Sequence, residues 1–532
     1  MSNQVFDYIV VGAGSAGCVV ANRLSGSGQS VCLIEAGPPD SSPFIHIPFG
    51  IVGLIREGRH NWGYYTEPQA HLGGRRLYWP RGKTLGGSSS INAMVYIRGN
   101  PADYDAWAAE GNAGWSWQEL LPVFKALENN ERGGNAWHGA GGELNVADVR
   151  DIHPLSQRFI EAGRQCGYPV NTDFNGESQT GVGLYQVTQK DGLRFSSAKA
   201  FLRPVKGREN LVIRTNLQVS RLLVDNARVS GVEVMNARRI ASRIEARKEV
   251  ILCGGAINSP QLLMLSGIGP SDELARHNIP VIHELPGVGK NLQDHLDITV
   301  MIRDKSGTAI SLSPAAWPGM LVDGFRFLFQ RRGVLTSNAS QAGGFLALEE
   351  DIPGMPGIQL HFIPSFLRDH GRELTPGYGC TIHACQLRPK SRGEIRLNST
   401  DPLASPHIQP NYLSHPDDVR AMVAAFRMAR ELFGAKAFAE ISGGEDSPGS
   451  NVSSDAEIIA DIRARAETIY HPAGTCRMGN DEMAVVDKDL RVRGIDGLRV
   501  ADASIMPTLI GGNTNAPCMV IGEKCARSIL AG

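Results

Sequence analysis

The sequence predicts an α/β chain, in which a Rossmann-like dinucleotide-binding unit is interleaved with a second unit of strands and helices. Three observations carry this expectation. The run Phe6-Asp7-Tyr8-Ile9-Val10-Val11 reads as a buried parallel strand and leads directly into Gly12-Ala13-Gly14-Ser15-Ala16-Gly17 at the start of a small-residue helix. A second apolar run, Val31 to Ile34, ends at Glu35-Ala36, and Glu35 stands 35 − 17 = 18 residues past the last glycine. The end of the chain returns to β-α character after a long middle region of different texture.

The first unit justifies itself residue by residue. Gly12 and Gly14 permit a tight turn and a close approach of backbone to a pyrophosphate, and Gly17 lets the helix pack on the strand. The first-turn N–H groups, from Ser15 and Ala16 onward, then face the anion. Glu35 suits a ribose-hydroxyl acceptor and disfavours a 2′-phosphate. From about 38 to 80 the chain is irregular, rich in Pro, Gly and aromatics, and is expected to cover the nucleotide. Asp103 to Asn129 carries helical apolar spacing. Asn210 to Thr215 is a short strand, and Leu217–Val224 with Val229–Met235 form a hairpin around Asn226-Ala227-Arg228. Lys248 to Cys253 is a strand ending at Gly254-Gly255, followed by a helix from about Ser259 with Pro260 in its first turn. Further on, Ile358–Ile363, Thr381–Leu387 and Gly393–Leu397 read as strands, Asp417–Phe433 as a helix, and Ser454–Ile469 as a helix capped by Ser454. Leu498 to Ala501 is a strand and Pro517 to Leu530 a helix. These changes of texture place a nucleotide unit at 1–297, a substrate-side unit at 298–465, and a return to the nucleotide unit at 466–532.

Composition narrows the function classes. The 532 residues carry a formal net charge of −1, which provides no field for nucleic acid. The 9 Cys are scattered, without a C-x-x-C pair or zinc spacing, and read as free buried thiols of a reducing compartment. No apolar run reaches the ~18–20 residues that span a bilayer, and the start lacks a basic signal region. The expected location is cytoplasmic, with peripheral contact with a membrane left open.

Three further segments resemble hallmarks of the glucose–methanol–choline (GMC) flavoenzymes. They are Arg81-Gly82-Lys83-Thr84-Leu85-Gly86-Gly87-Ser88-Ser89-Ser90-Ile91-Asn92; Gly254-Gly255-Ala256-Ile257-Asn258-Ser259-Pro260 running on to Gly269; and Tyr470-His471-Pro472-Ala473-Gly474-Thr475 with Gly512-Asn513-Thr514-Asn515-Ala516-Pro517. With the glycine loop they span the chain in the family's order. Within the family the chain resembles the bacterial choline dehydrogenase and alcohol dehydrogenase branch. The resemblance implies FAD, a small-molecule alcohol substrate, and a nucleotide domain roofed by a large antiparallel sheet. It implies that Gly86, Gly87, Ser88, Asn92 and Ala93 lie along the flavin and ribityl, that Val219 meets the adenine, that Asp502 and Ala503 lie near the phosphates and ribityl chain, and that Arg81 and Asn513 are also among the cofactor-binding residues. Ile91 occupies the position where some members carry a His that holds FAD covalently, so the cofactor is expected to be non-covalent.

On this reading the chain oxidises a primary alcohol to the aldehyde by hydride transfer to the flavin, and the protein supplies the base and the orientation. Neutral imidazole suits proton acceptance near pH 7. The resemblance makes His471 the base and Asn515 its partner, with Asn513 a rival nearby and helix capping a second role for Asn515. Electrons pass to a quinone, a carrier protein or oxygen. Choline oxidation, and lyase or decarboxylase chemistry on the same fold, are the alternatives. Cys476, near His471, is read as a buried thiol rather than a nucleophile. His361, Cys380, His383 and Cys385 are read as core rather than metal ligands, and Trp62, Trp79 and Trp317 are candidates for a cation–π cage.

Overall fold

The computed structural model describes residues 4–55, 58–311, 313, 317–373 and 375–532. In chain order its principal elements are β1 (Gln4–Val11), α1 (Ser15–Gly26), β2 (Val31–Ile34), α2 (Pro101–Ala109), α3 (Trp117–Leu127), α4 (Pro154–Gln165), β3 (Gly181–Leu184), β4 (Leu211–Arg214), β5 (Leu217–Asp225), β6 (Arg228–Asn236), β7 (Ala241–Leu252) and α5 (Gly255–Leu265). There follow β8 (Leu296–Asp304), α6 (Trp317–Gln330), β9 (Ala342–Leu346), β10 (Ile358–Ile363), β11 (Gly379–Gln386), α7 (Pro416–Gly434), β12 (Ser442–Ser447), α8 (Asp455–Arg465), β13 (Glu467–Thr468), β14 (Leu498–Val500) and α9 (Asn515–Ala531).

Two seven-stranded sheets organise these elements. The first runs β4-β2-β1-β7-β6-β5, with β14 pairing β7. Its β4-β2-β1-β7 core and the β14 edge are parallel, while β5 and β6 return antiparallel. Parallel strands are covered on both faces, and β2 is accordingly buried at all four positions. Helices α1 and α9 pack against one another beside this sheet. The second sheet runs β12-β8-β11-β10-β9-β3, with β13 pairing β8, and every pairing is antiparallel. Helix α7 covers one of its faces through Met422, Phe426, Ala429 and Phe433, a stripe at helical spacing. The expected architecture, a Rossmann-like layer joined to an antiparallel layer, is therefore the observed one. Strand β3 reaches the antiparallel sheet from within the long first segment of the chain.

Element boundaries depart from the sequence reading where glycine, proline or strand pairing intervenes. The single helix expected over Asp103–Asn129 is two helices. Gly111 and Gly114, at φ of 94° and 92°, break the chain between them, and Ser116 with Glu119 restarts it as a capping box. The helix expected from Ser454 to Ile469 keeps its Ser454 cap but stops at Arg465, because Glu467–Thr468 pairs with β8. Helix α5 begins at Gly255 rather than Ser259, which places Pro260 in its interior. Pro260 has no N–H for the carbonyl of Ala256, one turn back. The Thr475 hydroxyl donates to that carbonyl at 2.6 Å and replaces the missing bond.

Candidate active site

A cavity of about 370 Å3 runs from the glycine loop after β1 to the inner face of the antiparallel sheet. Every residue singled out in the sequence for nucleotide or proton chemistry lines it except Gly17 and Gly86. Those two lie behind the wall and shape it. A Cβ on Gly17 would come within 1.9 Å of the Gly12 carbonyl oxygen, and the Gly86 N–H donates to the Ala13 carbonyl at 2.7 Å. Gly12, at φ of 99°, has room for no side chain against the Cys253 carbonyl. Gly87 presses on Gly14 closely enough that its Cβ would sit 2.7 Å from the Gly14 Cα. Two glycine loops far apart in sequence thus meet as one bare backbone surface.

Three helices aim their N-termini into this space. Gly14 precedes α1, Gly254 precedes α5 and Thr514 precedes α9, and none of these positions caps its helix with a side chain. Their first-turn N–H groups and the positive ends of three helix dipoles suit a diphosphate and any negative charge formed beside it. Asp502 fixes one of them, accepting from the Gly255 N–H at 2.8 Å and the Ser259 hydroxyl at 2.6 Å; burial raises its carboxyl above the ordinary range. Glu35 accepts from the Ala13 and Gly37 N–H groups at 3.0 and 2.8 Å, and burial pushes its pKa to about 7. Val219 lies on the wall, two residues after Leu217, whose N–H donates to the Glu35 carbonyl at 3.0 Å, and beside an irregularity in the β5–β6 ladder. The elongated, glycine-lined form, the acid at the end of β2 and the three open helix ends fit a flavin dinucleotide.

At the far end stands His471. Its Nδ1 lies 3.0 Å from Nδ1 of His295, and its Nε2 lies 3.3 Å from Nδ2 of Asn513. Asn513 is oriented by Gln359, whose amide donates to Asn513 Oδ1 at 3.0 Å. Burial, and then the neighbouring His295, His361 and Arg81, hold His471 well below the usual imidazole range. It is therefore neutral at pH 7, with Nε2 open as an acceptor when Nδ1 carries the proton. The backbone here is constrained. Tyr470, a bulky residue, sits at φ of 71°, a conformation that costs of order 1–3 kcal/mol. Three bonds hold it: Arg81 to the Tyr470 carbonyl at 2.6 Å, the Tyr470 N–H to Thr468 Oγ1 at 2.8 Å, and the His471 N–H to Asp294 Oδ1 at 2.7 Å. Asp294 in turn accepts from the hydroxyls of Tyr412 and Thr468, and burial lifts its pKa to about 6.

Two expectations change. The partner of His471 is Asn513, not Asn515. Asn515 is the first residue of α9 and turns the other way, so that its Oδ1 accepts from the Ser15 hydroxyl at 2.7 Å. Nor does Asn515 cap α9, which begins after Thr514. The reading of His361 and His383 as core is refined rather than overturned: both are buried, at 4% and 5% exposed, but the space they face is the cavity. They are directly paired across β10 and β11 and both line the cavity. Their Nε2 atoms, with Oδ1 of Asn338, are buried without a partner among the described residues; Nδ1 of His383 bonds Asp297. Cys380 and Cys385 are buried, and among the described residues no His/Cys/Asp/Glu group is arranged to hold a metal. Cys476 is buried, and desolvation raises its thiol well above the ordinary range. Trp62 reaches the cavity but stacks on Tyr64 at 5.6 Å, and the Lys83 ammonium lies 4.2 Å over its ring. Trp79 packs edge-on against Tyr412 outside the cavity, and Trp317 lies outside the residues whose side chains are described.

Asp294, His295 and Gln359 were not singled out in the sequence. The run Asn291-Leu292-Gln293-Asp294-His295, dense in polar side chains at the mouth of an apolar strand, carried the only signal for the first two.

Comparison with known proteins agrees with this geometry. Family models described as GMC oxidoreductase match residues 6–297 and 389–522. The chain is 51% identical over 530 residues to an alcohol dehydrogenase [acceptor] of Pseudomonas putida, covering 99% of this chain and 96% of that one. It is 44% identical over 536 residues to the mitochondrial choline dehydrogenase of Homo sapiens, covering 99% and 90%. A crystal structure of pyridoxine 4-oxidase from Mesorbium loti superposes with a TM-score of 0.90 at 33% identity, covering 99% of each chain.

Proposed function

The chain belongs to the GMC oxidoreductase family, and from that premise we propose that it oxidises an uncharged primary alcohol to the aldehyde with His471 as the base. The enzymes of this family use FAD. When bound, FAD takes up the hydride from the carbinol carbon; the protein must hold the hydroxyl and remove its proton. An alcohol oxygen seated between His471 Nε2 and Asn513 Nδ2 donates its proton to the imidazole and accepts from the amide, whose hydrogen bond strengthens as negative charge builds on the oxygen. Gln359 keeps the amide turned to that task. The observation that carries the reading is this neutral imidazole facing an oriented amide at the end of a nucleotide-shaped cavity.

The division into a flavin unit (1–297 with 466–532) and a substrate unit (298–465) belongs to the same proposal, as does non-covalent FAD, since Ile91 brings no nucleophile to the cavity wall. The carboxylates lining the cavity among the described residues are Glu35 and Asp502, and both are bonded to backbone at the nucleotide end. No lining carboxylate faces His471 to balance a quaternary ammonium, and the face of Trp62 is already taken by Lys83. These features favour a neutral alcohol over choline. Electrons pass from the flavin to a non-NAD acceptor, here a quinone or a carrier protein in preference to oxygen.

The test is anaerobic. A primary alcohol is expected to bleach the flavin of the native protein, which a lyase or decarboxylase does not produce as net reduction. His471→Ala is expected to retain FAD and lose roughly 10²–10⁴-fold in the bleaching rate. An unchanged rate in that variant removes His471 from the chemistry.

A further inference from the structure

Helix α6 is built inside out. Leu321, Val322, Phe325, Leu328 and Phe329 are between 54% and 81% exposed. At 3.6 residues per turn they share an arc of about 120°, and the rings of Phe325 and Phe329 stack at 6.4 Å. Phe327, on the opposite side, is the buried one. A helix packed on a globular protein normally turns its apolar stripe inward; among its described side chains, this one turns Phe327 to the protein and presents the larger stripe outward. Cations border the stripe. Arg326 and Arg332 are exposed, at 61% and 59%, and each lies within reach of a carboxylate, Asp323 at 3.8 Å and Asp151 at 3.2 Å; the Arg331 guanidinium lies 5.0 Å over the Phe327 ring, away from the stripe. Counting Asp151, which pairs with Arg332, the three arginines of 317–332 stand against two acids, Asp323 and Asp151, a net charge of 3 − 2 = +1.

We propose that this face of α6 docks on the surface of a lipid bilayer bearing anionic headgroups, with Phe325, Leu328 and Phe329 inserted at the acyl boundary and the exposed Arg326 and Arg332 exchanging their carboxylate partners for phosphates. Aromatic and leucine side chains on one face with basic residues at its margins are the chemistry of an interfacial helix. Among the described residues no helix is long and apolar enough to cross a membrane, so the contact is a shallow one. A second copy of the chain is a poorer occupant. A 14-residue helix is roughly 21 Å long, and a stripe about 10 Å wide offers on the order of 200 Å2, against the ~800 Å2 per partner of a stable interface. The position of the helix gives docking a consequence. The chain leaves α6 through the turn Val334–Thr336 and enters Asn338, Ala339 and Ser340, which line the cavity. The same turn packs on Pro48–Gly50, which leads into the lining residues Ile51 and Val52. Docking therefore sets this wall against lipid, where apolar alcohols and quinones partition. That consequence rests on the proposed function; the docking itself does not.

The test is flotation of the flavin-loaded protein with vesicles of phosphatidylglycerol and phosphatidylethanolamine, and with vesicles of phosphatidylcholine alone. The native protein is expected to float with the anionic vesicles, less so at high salt. The Phe325→Ser/Phe329→Ser variant is expected to lose about tenfold or more in partitioning, with its flavin spectrum and its turnover of a short soluble alcohol unchanged. Native protein that stays in the soluble fraction with both vesicle types overturns the proposal. So does a double variant that floats as well as the native protein, or a native dimer that the double substitution converts to monomer.

Discussion

His471 works because of what surrounds it rather than what it is. An exposed imidazole titrates near 6.5 and is half protonated where many enzymes operate. Burial, together with His295, His361 and Arg81, favours the neutral form and depresses the pKa. The sign follows directly: a base whose pKa is lowered stays competent as pH falls through 6.5 and is lost only further down. The acid limb of kcat/KM for alcohol oxidation is therefore expected below pH 6.5, and a limb at or above 6.5 contradicts the buried neutral state. The two asparagines separate in the same way. Asn513 touches His471, and Asn515 touches Ser15 at the nucleotide loop. Asn513→Ala is expected to lower kcat by roughly 10²–10³-fold, the usual effect of removing one donor to a developing oxyanion, with FAD affinity retained. Asn515→Ala is expected to weaken FAD binding, measured by flavin release on dilution, with a smaller change in kcat at saturating FAD. The sequence placed both asparagines in the right motif and paired the wrong one with the base. Two residues apart at the start of a helix, they point in different directions, and only the φ/ψ path from Gly512 into α9 decides which faces His471.

At the scale of elements, the legible parts were those whose signals are local. The first β-α-β unit, the β5–β6 hairpin and α7 follow from strand or helix periodicity and from turn residues within a few positions. The break between α2 and α3 was also written locally, in Gly111, Gly114 and the Ser116–Glu119 box, but the apolar spacing on either side masked it. The start of α5 was not local at all. Pro260 normally belongs in a first turn, and it is tolerated inside this helix because Thr475, from another part of the chain, satisfies the carbonyl that proline leaves open. That arrangement predicts a double-mutant cycle. Thr475→Val leaves the Ala256 carbonyl buried without its donor and is expected to cost about 1–3 kcal/mol by chemical denaturation. In a Pro260→Ala background the new backbone N–H serves the same carbonyl, and the cost of Thr475→Val is expected to fall well below that range. Equal costs in the two backgrounds show that the hydroxyl does not stand in for the missing bond.

Across the whole molecule, the site is made of pieces that sequence could name but not assemble. Three helix starts without a side-chain cap from their own N-cap residue, at Ser15, Gly255 and Asn515, come from the two ends and the middle of the chain and converge on one cavity. Asp294, His295 and Gln359 acquire their roles from partners more than a hundred residues away, which no periodicity records. The same convergence makes the nucleotide part of the fold. A cavity walled by bare glycine backbone between two sheets exposes N–H groups and leaves apolar side chains without partners until something fills it. A ligand that binds only the native state stabilises it by RT ln(1 + [L]/Kd), about 2.7 kcal/mol at a hundredfold excess over Kd. Stripping the flavin is expected to lower Tm, and titrating FAD back is expected to raise it with the logarithm of free FAD. NAD makes the sharper control, because Glu35 alone suits the ribose of either dinucleotide. The cavity runs on from the glycine loop to His471, farther than a ribose-binding acid alone requires, so NAD is expected to leave Tm nearly unchanged at concentrations where FAD saturates. Gly17→Ala should abolish the FAD response as well, since its methyl group would displace the Gly12 carbonyl on which the cradle is built. A Tm that responds equally to both dinucleotides, or to neither, contradicts a cavity shaped for the flavin.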